Sequence, residues 1–403
     1  MKNNDSIFIG MSSGFGPLAQ IFPIANELKK QNIEIVCTIL RYAGDMIKKL
    51  GFTHLELKPS ETPPKSIPNT PDWWNQDYYW AKYGYLNYDY VKSIIDKYTE
   101  VIEKIKPKAI ISALDPPSTA VAWRLGIPLV VITQACEHPQ GKGGRTTWWK
   151  DLPSDLPNTC PVMNRVLSEI GVKTIERMEY INKGDLTIIP SIPEFDVIEC
   201  SDVFYTGPMF WQGPDEDSQR DFVLQHNNKY LLFVYTGHLF NSVGRASGFI
   251  LLDNVIKAFN HTEFDVLISV GTGQKIPDTI KPADNITICD WVPVNRIIPQ
   301  CDLIMHHGGH GSSLQGLGHG IPSIVIPTTD EREYNARQLA ELGVSSFITP
   351  GTITPELLLA RSRETVGNAG IKEKAGALAC SVKERNYNGA AEAAQLIMEL
   401  MKN

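Results

Sequence analysis

The sequence predicts an α/β protein built from two doubly wound lobes, each with a parallel sheet, facing one another across a cleft. Three observations lead there. Short apolar strands alternate with helical spacings of apolar residues, the alternation stops and restarts once, and a Gly- and Pro-bearing stretch at 204–214 separates the two series. The 403 residues also exceed what one core comfortably serves and suit two domains of roughly 150–200 residues.

Residues 6–11 (SIFIGM) read as a buried strand that passes into the loop Ser12-Ser13-Gly14-Phe15-Gly16-Pro17. Ile21, Ile24, Ala25 and Leu28 then recur at helical spacing up to Lys30, and 33–39 is the next strand. The alternation continues through a strand at 109–113, a helix at 118–125 and strands at 128–133 and 186–189. Crossovers between such strands are right-handed and leave the sheet parallel. The pattern restarts at Tyr230 with an apolar strand, then Gly237, a helix at 246–259 and a strand at 265–270. Three further strands follow, around Ile286 and Ile288, at 303–305 and at 323–326, and a final helix at 390–401 has one apolar face. The resulting division is a first lobe at 1–204, a linker at 205–215, a second lobe at 216–385 and a C-terminal helix at 386–403.

Composition narrows the class. Hydrophobic residues make up 42% and charged ones 21%, as in an ordinary soluble globular protein, and cytoplasmic residence is the expectation. The formal charge of −7 argues against nucleic acid as the main partner, because binding phosphate backbones needs a basic face. The N-terminus turns at once into a strand and reads as no signal peptide, and no apolar run reaches the ~20 residues that span a bilayer. The cysteines at 37, 136, 160, 200, 289, 301 and 380 are dispersed without C-x-x-C spacing, so they read as reduced thiols, and no clustered ligands suggest a metal.

The chemistry concentrates at 285–336. One strand ends at Trp291-Val292-Pro293, the next runs straight into His306-His307-Gly308-Gly309-His310-Gly311-Ser312-Ser313, and the third stops at Pro327. A glycine-rich turn between a strand and a helix N-terminus holds phosphate, because free backbone N–H groups point outward and the helix dipole contributes roughly half a positive charge. Three successive strand ends with polar or aromatic punctuation are where open α/β sheets take ligands.

These residues resemble the donor-binding motif of the family 1 nucleotide-sugar glycosyltransferases of the GT-B fold. The family pattern is W-x-P, H-G-G-x-G-[ST], G-[VI]-P and a P-x-x-x-[DE]-Q-x-x-N-A block. Trp291, Pro293, His307 to Ser312, Gly320-Ile321-Pro322, Pro327, Glu331, Asn335 and Ala336 match it. Tyr205-Thr206-Gly207-Pro208 is similar to the family's interdomain signature. The resemblance implies two Rossmann-like domains, with the final helix packed back on the first. It implies an inverting transferase moving a hexose-type sugar from a UDP- or dTDP-sugar co-substrate to a hydrophobic or aromatic small molecule or glycoside, with no other cofactor and no essential metal. His307, Gly309, Gly311, Ser312, Ser313 and Gly237 would then serve the diphosphate, Trp291 and Val292 the nucleobase, Gln315 the ribose, and Glu331 with Arg332 the sugar. The oligomeric state stays open.

Three positions depart from the family pattern. Arg332 stands where the family carries Gln, and it donates hydrogen bonds but accepts none. Gln315 stands where a Glu often grips two ribose hydroxyls, which weakens the case for uridine over thymidine nucleotides. Pro17 stands where the family places the His that deprotonates the acceptor, while its partner acid is kept as Asp115. Asp115, Glu137 and His138, at cleft ends of strands, are the substitute base candidates, with ordinary loop polarity as the plain alternative for each.

The segment 72–90 is rich in aromatics. It holds Trp73, Trp74, Tyr78, Tyr79 and Trp80 and continues through Tyr83, Tyr85, Tyr88 and Tyr90. The plain reading is a partly buried aromatic helix pair; the functional one is an acceptor-facing surface, where rings stack on the acceptor and polar tips orient it. Trp148 and Trp149 can line the same cleft. Two other functions remain open: a catalytically silent nucleotide-sugar-binding partner of another transferase, and a GT-B-type nucleotide-sugar epimerase.

Overall fold

The computed structural model describes residues 5–12, 15–38, 44–55, 57, 74–142, 153–211, 227–237, 239, 247–271 and 273–402. Its first sheet is parallel throughout and comprises β1 (Ser6–Met11), β2 (Glu34–Thr38), β3 (Thr53–Leu55), β4 (Ala109–Ala113), β5 (Leu129–Ile132), β6 (Leu186–Ile189) and β7 (Val203–Tyr205). The strand order is β3-β2-β1-β4-β5-β6-β7. The second sheet, also parallel, comprises β8 (Tyr230–Tyr235), β9 (Phe264–Ser269), β10 (Ile286–Cys289), β11 (Leu303–His306), β12 (Ser323–Val325) and β13 (Ser345–Phe347), in the order β10-β9-β8-β11-β12-β13. Each sheet reverses its winding once, at β1/β4 and at β8/β11. Those switch points open crevices at the carboxyl ends of the strands, where such sheets bind ligands.

The first lobe's helices are α1 (Phe15–Lys30), α2 (Gly44–Lys49), α3 (Gln76–Lys82), α4 (Tyr88–Ile105), α5 (Pro116–Leu125) and α6 (Cys160–Glu169). The pattern reading did not resolve α4, although its signals are in the sequence. Asn87 caps its first turn, accepting from Tyr90 N, and Tyr90, Val91, Ile94, Ile95, Tyr98 and Ile102 form one buried stripe. Helix α5 starts two residues earlier than expected, because Asp115 caps it and Pro116 and Pro117 fit its first turn.

The second lobe carries α7 (Gly248–Phe259), α8 (Val294–Ile297), α9 (His310–His319), α10 (Asp330–Glu341), α11 (Pro355–Gly367) and α12 (Ala369–Glu384), followed by α13 (Gly389–Leu400). Ala393, Ala394 and Ile397 of α13 are buried in the core of the first lobe with Leu18, Phe22 and Ala25 of α1. The last helix therefore returns to the first lobe and closes the chain on itself. A second join lies in the segment after β6: Ile192 and Phe195 are buried among Leu314, Leu317, Ala336 and Leu339 of the second lobe. All seven cysteines are free thiols.

Candidate active site

The switch point of the second sheet brings together the loop after β8 and the loop after β11. His306 closes the turn by accepting Gly308 N at Nδ1 (3.1 Å), and burial pushes its pKa down to about 3, so it stays neutral. Gly308 has φ +88°, and a Cβ there would meet Arg332 O at 2.7 Å and Val325 Cγ1 at 3.0 Å. Only glycine meets both demands, and the loop is thereby pressed onto α10. The half-buried His307 ring lies between two further glycines, since a Cβ on Gly309 would stand 2.9 Å from Nε2 and one on Gly237 3.5 Å from Nδ1. Tyr235, 5.3 Å away between ring centroids, packs on the same imidazole.

Gly309 is the N-cap of α9 and supplies no side-chain cap. The first N–H groups of the helix are thus available to an anion, and Gly311 is exposed there with Ser312 half-buried. Ser313 is placed differently from its neighbours: it is buried, and its Oγ donates back to Gly309 O at 3.1 Å.

The remaining donor candidates ring this turn. Gln315 Nε2 donates to Asn295 Oδ1 (3.1 Å), which ties α9 to the segment after Trp291. Trp291 is half-buried, whereas the Val292 side chain is core, packed with Leu231, Phe233 and Ile304. A nucleobase can therefore meet Val292 only through its backbone. Glu331 Oε1 accepts from Asn335 Nδ2 at 3.0 Å, and the same amide donates to Gly308 O at 2.9 Å. Arg332 donates from Nη1 to Thr328 Oγ1 and lies near the Tyr235 side chain.

In the first lobe, Asp115 lies at the β1/β4 switch point. Its Oδ2 accepts from Ser118 N (3.3 Å) and Ser118 Oγ, and its Oδ1 accepts from Tyr98 OH (3.2 Å). Burial pushes the carboxyl up to about 6 despite these donors. Pro17 is half-buried in the first turn of α1.

Of the aromatic insert, Trp73 lies outside the described residues, as do Trp148 and Trp149. Tyr78 and Trp80 are buried, while Trp74 and Tyr79 are half-buried. Trp80 packs edgewise on Tyr79 (4.9 Å) and against Tyr85 (5.1 Å), and these rings join the core under α4. The rings Tyr85 and Tyr98 lie close to Asp115, so one end of the aromatic layer borders that carboxylate.

Glu137 and His138 lie beyond β5 and are both buried. Glu137 Oε1 accepts from Gln134 Nε2 (3.1 Å), and that amide also reaches Glu331 Oε1 of the second lobe (3.5 Å). His138 faces the other way: burial, with Lys183 nearby, pushes its pKa down to about 4, against Asp202.

Pattern reading passed over three residues that the fold assembles. His310 occupies the variable position of the glycine motif. Its Nε2 donates to Asp196 Oδ2 (2.7 Å), and its Nδ1 accepts from Gln20 Nε2 (3.1 Å). Asp196 is 114 residues away in sequence and Gln20 290, so no local spacing could have linked them.

Residues 253–397 match the model of the erythromycin biosynthesis protein CIII-like C-terminal domain. The whole chain superposes on CalG4, the calicheamicin glycosyltransferase, with a TM-score of 0.78 at 18% identity, covering 100% of this chain and 99% of that one. The chain has the GT-B fold of these glycosyltransferases. A second GT-B neighbour is the Streptomyces sp. SF2575 glycosyltransferase SsfS6 complexed with thymidine diphosphate (TM-score 0.68, 18% identity, 98% of this chain and 100% of that one). Among curated proteins, this GT-B chain is similar to demethyllactenocin mycarosyltransferase of Streptomyces fradiae, 27% identical over 146 residues (36% of this chain, 31% of that protein). It is also similar to NDP-glycosyltransferase YjiC of Bacillus subtilis, 26% identical over 200 residues (49% and 48%). The alignments thus span from under a third to about half of those relatives' own length.

Among the described residues of this GT-B chain, no group of three His, Cys, Asp or Glu side chains could hold a metal ion. No described helix is long and apolar enough to cross a membrane.

Proposed function

We propose that this chain transfers a hexose-type sugar, with inversion, from a UDP- or dTDP-sugar to a hydrophobic or aromatic small-molecule or glycoside acceptor. The observation that carries the reading is the convergence of His307, Gly237 and the uncapped N-terminus of α9 on one switch point. The diphosphate would lie against the N–H groups of Gly311 and Ser312, with His307 donating a further bond. These donors offset the charge that develops on the departing diphosphate. Trp291 would stack on the base, Gln315 would meet the ribose, and Glu331 with Arg332 would meet the sugar. A thymidine nucleotide suits the uncharged Gln315, and SsfS6 was crystallised with thymidine diphosphate.

The acceptor would enter above the aromatic layer, where Trp74 and Tyr79 remain partly exposed. Its hydroxyl oxygen attacks the anomeric carbon as the C–O bond to the diphosphate breaks, and the hydroxyl proton passes to a base. Asp115 is the first choice, with His138 and Glu137 behind it. A carboxyl with a pKa of about 6 is a far better base at neutral pH than an ordinary one. One observation favours the silent-partner reading: both oxygens of Asp115 already hold donors, and the Pro17 side chain offers no acceptor atom. Release of UDP or dTDP in a donor-and-acceptor screen tests the proposal. Transfer supports it, isomerised nucleotide sugar supports an epimerase, and binding without turnover supports the silent partner.

A further inference from the structure

His310 is the first residue of α9, inside the turn that would hold the diphosphate, yet both hydrogen bonds of its imidazole leave the second lobe. Both ring nitrogens are taken by groups whose chain positions precede the linker: Gln20 on α1 at Nδ1 and Asp196 at Nε2. Asp196 is fully buried and is itself fixed to the first lobe, because its Oδ1 accepts from Ala135 N at 2.7 Å. The residues that follow it are tied to the same lobe, with Lys142 N donating to Val197 O (2.8 Å) and Glu199 N to Gln140 O (2.9 Å), whereas Phe195 before it packs in the second lobe's core. Phe195 packs on the imidazole, 5.6 Å between ring centroids. One side chain of the diphosphate loop is therefore clamped by two separate elements of the acceptor lobe.

We propose that His310 is a positioning residue that fixes the donor loop against the acceptor lobe through Asp196 and Gln20, so that sugar and acceptor meet in register. This rests on the transferase reading above. A histidine hydrogen-bonded on both nitrogens can neither slide nor rotate without breaking a bond inside a buried site, where an unpaired group is costly. The Gln20 amide donates to the neutral ring and, flipped, accepts from the charged one, so both protonation states keep two bonds.

The strongest charges acting on the ring, among the described residues, are acidic: Asp196 from the segment after β6, Glu331 from α10 and Glu137 from the turn after β5, while α1 presents the uncharged Gln20. Burial works against the imidazolium, but these carboxylates outweigh it and hold His310 above its ordinary value. The charged tie is thus complete at low pH and weakens as pH rises through that raised value.

The test compares the parent with His310→Ala, Asp196→Asn and Gln20→Ala, each checked for folding by near-ultraviolet circular dichroism. UDP and dTDP affinity should stay within roughly threefold, since the helix N–H groups and His307 lie in one lobe. Turnover should fall roughly 10–100-fold at nearly constant donor KM, the scale expected for a misplaced reacting pair. Asp196→Asn should move the alkaline fall of kcat to lower pH. In small-angle scattering with saturating UDP or dTDP, the parent should be compact and His310→Ala more open. Folded variants with parental kcat, pH profile and compactness overturn the proposal. Should Asp196→Asn fail to fold, Gln20→Ala carries the same comparison. If the parent transfers no sugar at all, the transferase reading falls and scattering alone decides: an unchanged profile in His310→Ala then overturns the tie.

Discussion

Replacing Gly308 with alanine tests whether the donor turn is shaped by the contact with α10. The structure supplies two separate costs. At φ +88° an L-residue sits in the left-handed region, a penalty of roughly 1–2 kcal/mol. The added methyl would also stand 2.7 Å from Arg332 O and 3.0 Å from Val325 Cγ1. The first is helix backbone and the second belongs to a central strand, so neither yields easily, and overpacking of this kind costs roughly 1–3 kcal/mol. Together these give about 2–5 kcal/mol, and at about 2–4 °C per kcal/mol for a lobe of this size the melting temperature should fall by about 4–20 °C. Scanning calorimetry of the second transition, or of the whole chain if the lobes melt together, measures it. Gly311→Ala is the matched control. Its Cβ meets no heavy atom within 4 Å, so a shift under about 0.5 kcal/mol is expected. If Gly308→Ala melts with the parent, the loop is not held by α10 and the reasoning about the turn is wrong.

Other outcomes follow from the same geometry. His307→Ala should cost ~1.5–3 kcal/mol of diphosphate binding, or roughly 10–150-fold in Kd by calorimetry; an unchanged Kd would make the ring a packing element only. If Asp115 is the base, Asp115→Asn should reduce turnover by ~10²–10⁴-fold while Glu137→Gln and His138→Ala stay active, and parental kcat/KM should rise with pH through about 6. Full turnover in Asp115→Asn removes that assignment. Because burial raises the folded-state pKa of Asp115, its contribution to stability is present at low pH and is lost as pH rises through about 6. The melting temperature of Asp115→Asn relative to the parent should therefore climb between pH 4 and pH 7, and a flat difference would contradict the burial argument.

Much of this molecule is legible in its sequence. Apolar runs of strand length, helical spacings between them and one restart at Tyr230 determine two parallel sheets, because each pattern reports locally which face must leave water. The glycine motif at 307–312 marked the proposed anion site for a similar reason, since backbone freedom and helix-terminal N–H groups are properties of a short segment. The tertiary structure decided what depends on neighbours distant in the chain. It turned Val292 and Ser313 inward although their position in the motif faces the donor, and it buried Tyr78 and Trp80 while leaving Trp74 and Tyr79 partly exposed. It raised the Asp115 pKa, an effect of desolvation that no sequence position carries. It also placed His310 between Gln20 and Asp196, because a buried imidazole takes whatever partners the packed lobes bring to its two nitrogens.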